Sequence, residues 1–301
     1  MMRSRALLVL GLAGSLGPGS PGAFGEDARL AAAIPGIEAA IQESGAEVAI
    51  AFETLDRRSG WLERPDEPFH AASTMKVPVL IELYRQRRAG RLRLEDTLVV
   101  HNEFRSLADG SPYALDPADD SEAALYLAAG STRTLAQLSE LMIEVSSNLA
   151  TNLLIERLGV ENIGSGVRAL GADGMQVLRG VEDSKAFALG LNNSTTARAL
   201  LTLMEAIALG AAVDAASSRE MQAILEQQTF NDGIPAGLPS GTRVAHKTGE
   251  ITKIHHDAAI VFAAHPYVLV VLVRGIEDEK ASAKLIAEIS RTLYPVAEAQ
   301  P

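Results

Sequence analysis

Strand-forming sequence in this chain of 301 residues is confined to its two ends, and that limits the folds open to it. Near the start, "EVAIAFETL" (47–55) is a β-like apolar run, "DRRSG" reads as a turn, and "WLERP" fits a returning strand. Near the end, "VAHKTG" (244–249), "DAAIVFAA" (257–264) and "YVLVVLVRGI" (267–276) read the same way. Between them, from Ser73 to about Ser217, the pattern is mostly helical, with loops at 102–121 and 179–194. A helical pattern from Ala28 to Glu43, interrupted at Pro35-Gly36, precedes the first strand, and "KASAKLIAEISRTLY" forms a helix after the last. The chain ends should therefore meet in one antiparallel sheet covered by the terminal helices, an α+β arrangement. The expected α/β lobe takes residues 26–72 and 218–301, the all-helical lobe takes 73–217, and a site should form in the cleft between them.

The first 25 residues stand apart. Arg3 and Arg5, an apolar run from Ala6 to Leu16, and small residues at Ala23 and Gly25 have the layout of a secretory leader cleaved before Glu26. The run is too short to span a bilayer, so the expectation is an exported, periplasmic or secreted protein without stable membrane insertion. The remaining 276 residues can bury a substantial core. With no cysteine, that core relies on packing alone, and thiol nucleophiles and Cys-zinc sites are excluded. Without the leader the chain has 25 basic and 38 acidic residues, net about −13, which argues against nucleic acid as a partner. Nothing marks an oligomer interface, so a monomer is expected.

Three short constellations carry chemistry. In "FHAASTMKVPVL" (69–80), Ser73 and Lys76 are one helical turn apart and could touch. A serine hydroxyl is a weak nucleophile until a base takes its proton, and a desolvated lysine can be that base. At a helix start, the backbone N–H of Ser73 is also free to hold an oxyanion. In "EVSSNLATNLL" (144–154), Ser146 and Asn148 converge only if Ser146-Ser147 lies in a tight loop between helices; Ser147 or Asn148 then caps the second helix. In "HKTGE" (246–250), Lys247 and Thr248 offer a cation and a hydroxyl to a carboxylate, and Gly249, lacking Cβ, admits a ligand close to the strand.

Ser-x-x-Lys, Ser-x-Asn and Lys-Thr-Gly in this order and at these separations resemble the class A β-lactamase-like serine hydrolases of the β-lactamase/penicillin-binding protein superfamily. The resemblance covers nearly the whole chain after the leader and includes "LIERLG", "STTARAL" (194–200) and "HHDAAIVF" (255–262). It implies that Ser73 is acylated, that Lys76 is its proton partner, and that Ser146 relays a proton to the leaving nitrogen. Asn148 would orient a substrate amide, Lys247 and Thr248 would hold a substrate carboxylate, and the N–H groups of Ser73 and Glu250 would form the oxyanion hole. No metal or other cofactor is implied, and His255-His256 read as strand-entry residues rather than ligands.

The chain departs from the family in two places. Ser147 stands where the second motif carries Asp, replacing an expected buried carboxylate with a hydroxyl. The loop "RGVEDSKAFALGLNNSTTA" places Glu182 one residue too far from Arg179, has Ala186 where the family has a water-holding Asn, and offers Asn193 where an acid usually meets the arginine. Glu182 and Asp183 are the candidates for a hydrolytic base, and Glu182 is favoured. The resemblance thus implies β-lactam hydrolysis through an acyl-serine. The alternatives are a D-alanyl-D-alanine peptidase or esterase on the same scaffold, or a module that binds β-lactam or cell-wall peptide without turnover.

Overall fold

The computed structural model describes residues 27–298; the leader read at 1–25 lies outside the described residues. In chain order, α1 (Ala28–Ser44) leads into the hairpin β1 (Glu47–Thr54) and β2 (Gly60–Glu63), followed by β3 (Phe69–His70), a 3₁₀ turn at Ala72–Met75, and α2 (Lys76–Arg88). The middle contains β4 (Thr97–Val99), β5 (Phe104–Arg105), β6 (Pro112–Tyr113), α3 (Ala123–Leu127), β7 (Thr132–Thr134), α4 (Leu135–Glu144), α5 (Asn148–Leu158) and α6 (Val160–Ala169). Next come α7 (Ser184–Ala188), β8 (Ser194–Thr195), α8 (Ala197–Ala208) and α9 (Ala215–Leu225). The chain then returns as β9 (Val244–Ile251), β10 (Ile254–Val261), β11 (Tyr267–Arg274) and α10 (Glu279–Glu298).

The five long strands form one sheet in the order β2-β1-β11-β10-β9, every neighbouring pair antiparallel. The apolar runs of β1, β10 and β11 follow from burial on both faces. Val48, Ile50, Phe52, Leu269, Val271 and Val273 face one core with α1 and α10, while Ala49, Ala51, Val268, Val270 and Leu272 face the other. That second core continues through α2, α4, α5 and α8, and α8 lies directly against β1, β10 and β11.

Two local expectations are corrected. Pro35 does not interrupt the first helix: α1 runs through it, because Pro35 and Gly36 lie on the exposed side, where water can satisfy the carbonyl left without its N–H partner. The middle is not purely helical either: β3 pairs with β8, β4 with β7 and β5 with β6, in segments of two or three residues, too short for an alternating pattern to show. Among the described residues no helix is long and apolar enough to cross a membrane.

Candidate active site

Ser73 lies in the 3₁₀ turn between β3 and α2, half-buried, with Lys76 opening α2. Ala72 is in the left-handed region, φ 45, a costly conformation that its surroundings must enforce. They do so from two sides: the Ala72 N–H donates to His70 Nδ1 at 3.0 Å, and Thr74 Oγ1 donates to the Ala71 carbonyl at 2.6 Å. His256 of β10 joins this turn to the sheet. Its Nε2–H donates to the His70 carbonyl at 2.9 Å and its Nδ1 accepts the Val273 N–H at 3.1 Å, so the neutral tautomer is dictated by its partners. Burial lowers its pKa to about 4. Among the described residues no group of three or more His, Asp or Glu side chains could hold a metal ion.

Gly249 serves a purpose beyond the one expected. A Cβ there would stand 2.9 Å from the Thr74 nitrogen and 3.0 Å from the Ser73 nitrogen. Its bareness admits the serine's own turn against β9, rather than only a ligand. The two-residue turn at Thr252-Lys253 closes on the paired Ile251 and Ile254, so the N–H of Glu250, next along, points away from β10 toward the free edge of the sheet. The Ser73 turn packs against that edge.

Lys76 is fully buried, and its Nζ makes three hydrogen bonds: to the Ser146 carbonyl at 2.7 Å, Ser146 Oγ at 3.0 Å and Asn148 Oδ1 at 2.9 Å. These match its three N–H donors, so the ammonium is satisfied by the second motif and not by Ser73, the contact the spacing alone suggested. Burial lowers its pKa to about 7, against the opposing charges of Asp120 and Glu182. Lys247, also fully buried, donates to Ser146 Oγ at 3.0 Å and to the Thr248 carbonyl at 3.0 Å. Burial, then the nearby Lys76 charge, holds its pKa well below that of a free lysine.

Ser146 thus accepts from two lysines, which leaves its own proton free to be donated elsewhere. It reaches them because the chain reverses between α4 and α5 with Ser146 itself left-handed, φ 59. Ser147 caps α5, its Oγ accepting the Ala150 N–H at 3.2 Å. Asn148, the first residue of α5, spans the site: its Oδ1 accepts from Lys76, and its Nδ2 donates to Glu182 Oε1 at 2.7 Å.

The loop therefore delivers Glu182 to the site despite its altered spacing. The chain bends at Glu182, φ 60, and Asn152, one turn beyond Asn148 on α5, grips the preceding residue: its Oδ1 accepts the Val181 N–H at 2.7 Å and its Nδ2 donates to the Val181 carbonyl at 3.1 Å. Burial raises the Glu182 pKa against the hydrogen bond from Asn148. Asp183 is otherwise engaged, accepting from Ser106 Oγ at 2.8 Å, the Leu107 N–H at 2.8 Å and the Ala186 N–H at 3.1 Å. Desolvation would raise its carboxyl, but these hydrogen bonds outweigh it and the pKa is lowered. Asn193 does not meet the Arg179 guanidinium. Its Oδ1 accepts the Leu178 and Arg179 N–H groups, while the guanidinium donates to Asn192 Oδ1 at 3.1 Å and to the Leu191 carbonyl.

Two cavities meet at Ser73. One of about 550 Å³ runs past Ser146, Thr248 and Glu250. The other, about 450 Å³, runs past His70, Glu182 and Phe187. Glu250 belongs to both, exposed at the rim; partial burial and the adjoining Glu279 carboxyl raise its pKa to about 7.

Sequence reading passed over two residues that act on this site. Asn152 was visible as a polar residue four positions from Asn148, hence on the same helix face. Asp120 had no comparable signal. Its Oδ2 accepts from Ser147 Oγ at 3.3 Å, so a buried carboxylate does stand beside position 147, supplied from another segment.

The model of the beta-lactamase enzyme family matches residues 32–297. A beta-lactamase of Rhodobacter capsulatus is 33% identical over 171 residues, covering 56% of this chain and 54% of that protein, so the match spans about half the relative's length. The crystal structure of a beta-lactamase from Sphaerobacter thermophilus superposes with a TM-score of 0.74 at 27% identity, covering 91% of this chain and 99% of that one. PBP-A, solved in a mutant form as an acyl-enzyme complex with penicillin G, superposes with a TM-score of 0.73 at 27% identity, covering 88% and 96%. With nearly its whole described length matched, the chain belongs to the beta-lactamase enzyme family.

Proposed function

We propose that this protein is an exported, monomeric serine hydrolase that opens β-lactams through an acyl-enzyme on Ser73. Export is supported by the sequence of residues 1–25. The observation that carries the reading is the pair of buried lysines meeting at Ser146 Oγ beside Ser73. Neutral Lys76 keeps two N–H donors for the Ser146 carbonyl and Asn148, and gains a lone pair, while Lys247 still donates to Ser146 Oγ. That lone pair takes the Ser73 proton as Oγ bonds to the β-lactam carbonyl carbon.

The resulting oxyanion is held by the N–H groups of Ser73 and Glu250. When the carbon–nitrogen bond breaks, the Ser146 hydroxyl gives its proton to the leaving nitrogen and is reprotonated from Lys76. Lys247 and Thr248 bind the substrate carboxylate, and the remaining Asn148 N–H orients its side-chain amide. Glu182 then deprotonates a water that attacks the ester, the acyl–oxygen bond breaks, and the proton taken up by Glu182 is returned to the departing Ser73 Oγ, restoring both groups.

A second reading, acylation with little turnover as in a peptidase-like trap or a β-lactam sensor, is favoured by one feature: Ala186 stands where a water-holding Asn is expected. Mixing the protein with a chromogenic cephalosporin, while following product and intact mass, separates the readings. Steady turnover abolished by Ser73→Ala is the expected outcome. A burst of one equivalent with a lasting adduct favours the trap, and neither product nor adduct refutes both.

A further inference from the structure

Asp120 accepts four hydrogen bonds, more than any loop cap requires. Its Oδ2 takes the Leu149 N–H at 2.8 Å, the Tyr126 hydroxyl at 2.9 Å and the Ser147 hydroxyl at 3.3 Å, and its Oδ1 takes the Glu122 N–H at 3.0 Å. It follows the 3₁₀ turn Pro117–Asp119, is only 8% exposed, and reaches α5 from 29 residues away. Leu149 and Ala150 carry two of the N–H groups that a helix start leaves unpaired; Asp120 takes the first and Ser147 the second. A carboxylate there also meets the positive end of the helix.

We propose that Asp120 is a positioning residue of the active site, locking the turn Ser146–Asn148 from outside α5 and setting the electric field on Lys76. This rests on the acyl-serine reading for its consequence, though not for its test. Ser146 and Asn148 hold all three Lys76 donors, so whatever fixes the first turn of α5 fixes the lysine. The charged groups acting on Lys76 are Asp120, Glu182 and Lys247; the two carboxylates favour its protonated form and Lys247 disfavours it. Asn at position 120 cannot substitute. If its carbonyl faces the three donors at Oδ2, its amide faces the Glu122 N–H, and the reverse orientation is worse.

The test reads Lys76 directly. The chain has six lysines, so ¹³Cε-lysine NMR can follow the Lys76 titration without any substrate. In Asp120→Asn the midpoint should fall by about one unit, the order expected for losing a nearby charge at an effective dielectric of about 20. The pH limb of cephalosporin acylation should move with it. The reciprocal exchange Asp120→Ser/Ser147→Asp returns a carboxylate to the same helix start and should restore the parental midpoint and limb.

A folded Asp120→Asn protein with reduced melting temperature but an unmoved Lys76 midpoint would mean a purely structural role and overturn the proposal. If Asp120→Asn does not fold, the exchange variant decides: a folded protein with the parental midpoint supports the proposal, and failure to fold or a shifted midpoint refutes it. Should the parent fail to acylate at all, the hydrolase reading fails while the NMR result still decides the role of Asp120.

Discussion

Replacing Lys76 by methionine should change stability relative to the parent in a pH-dependent way that becomes less favourable to the variant as pH rises. The lysine is fully buried, and its pKa falls from 10.5 to about 7 on folding. That difference, about 3.5 units at 1.36 kcal/mol each, means that burying the charged form costs about 5 kcal/mol. Below pH 7 both the folded and unfolded states carry the proton and the full cost applies. Between pH 7 and 10.5 the unfolded chain binds the additional proton, so parental stability rises with pH. The cost is therefore about 5 kcal/mol near pH 6 and about 2 kcal/mol near pH 9.

Methionine carries no charge and fills a similar volume, but it leaves Asn148 Oδ1 and the Ser146 carbonyl without this donor, a pH-independent cost of about 1–3 kcal/mol each. The stability of the variant minus that of the parent should thus fall by about 3 kcal/mol from pH 6 to pH 9, whatever its sign at either end. Lys247 adds in the same direction, since without the Lys76 charge it holds its proton to higher pH. Urea denaturation of both proteins at pH 6, 7.5 and 9 measures the gap. A gap constant to within about 0.5 kcal/mol would show that Lys76 titrates normally in the folded protein, and its assignment as the base for Ser73 would fall.

Glu182→Gln should slow decay of the acyl-enzyme by about 100-fold or more while changing its formation by less than about 3-fold, as followed by intact mass after a cephalosporin pulse. An adduct that decays at the parental rate removes Glu182 as the base. In Gly249→Ala, the new methyl meets the backbone nitrogens of Thr74 and Ser73 at 2.9 and 3.0 Å, so β9 must retreat from the Ser73 turn. Acylation should fall by about 100-fold with about 1–3 kcal/mol of lost stability, and parental single-turnover kinetics would show that this contact is slack. Glu250, with a pKa raised to about 7 beside Glu279, gains its charge as pH rises through neutrality at the rim of both cavities. KM for an anionic β-lactam should therefore increase by about 2- to 3-fold from pH 6 to pH 8, solvent screening limiting the effect, and Glu250→Gln should flatten that profile.

The sheet and the candidate groups of the site are legible in the sequence alone. Apolar runs such as "YVLVVLV" (267–273) have one explanation, strands buried on both faces, and their position at the chain ends requires those ends to meet. Ser73 and Lys76, Ser146 and Asn148, and Lys247 to Gly249 are legible because each set lies within a single turn or a few strand residues, where spacing dictates geometry. Contacts between segments have no such code. That Lys76 is satisfied by the second motif, that Asn192 rather than Asn193 meets the Arg179 guanidinium, and that Gly249 makes room for the Ser73 turn follow from tertiary packing. The carboxylate missing from position 147 shows why. A helix start and a buried lysine require a negative oxygen at a place in space, and residue 120 supplies it as well as residue 147 could, because the field and the hydrogen bonds depend on distance and direction and not on chain position.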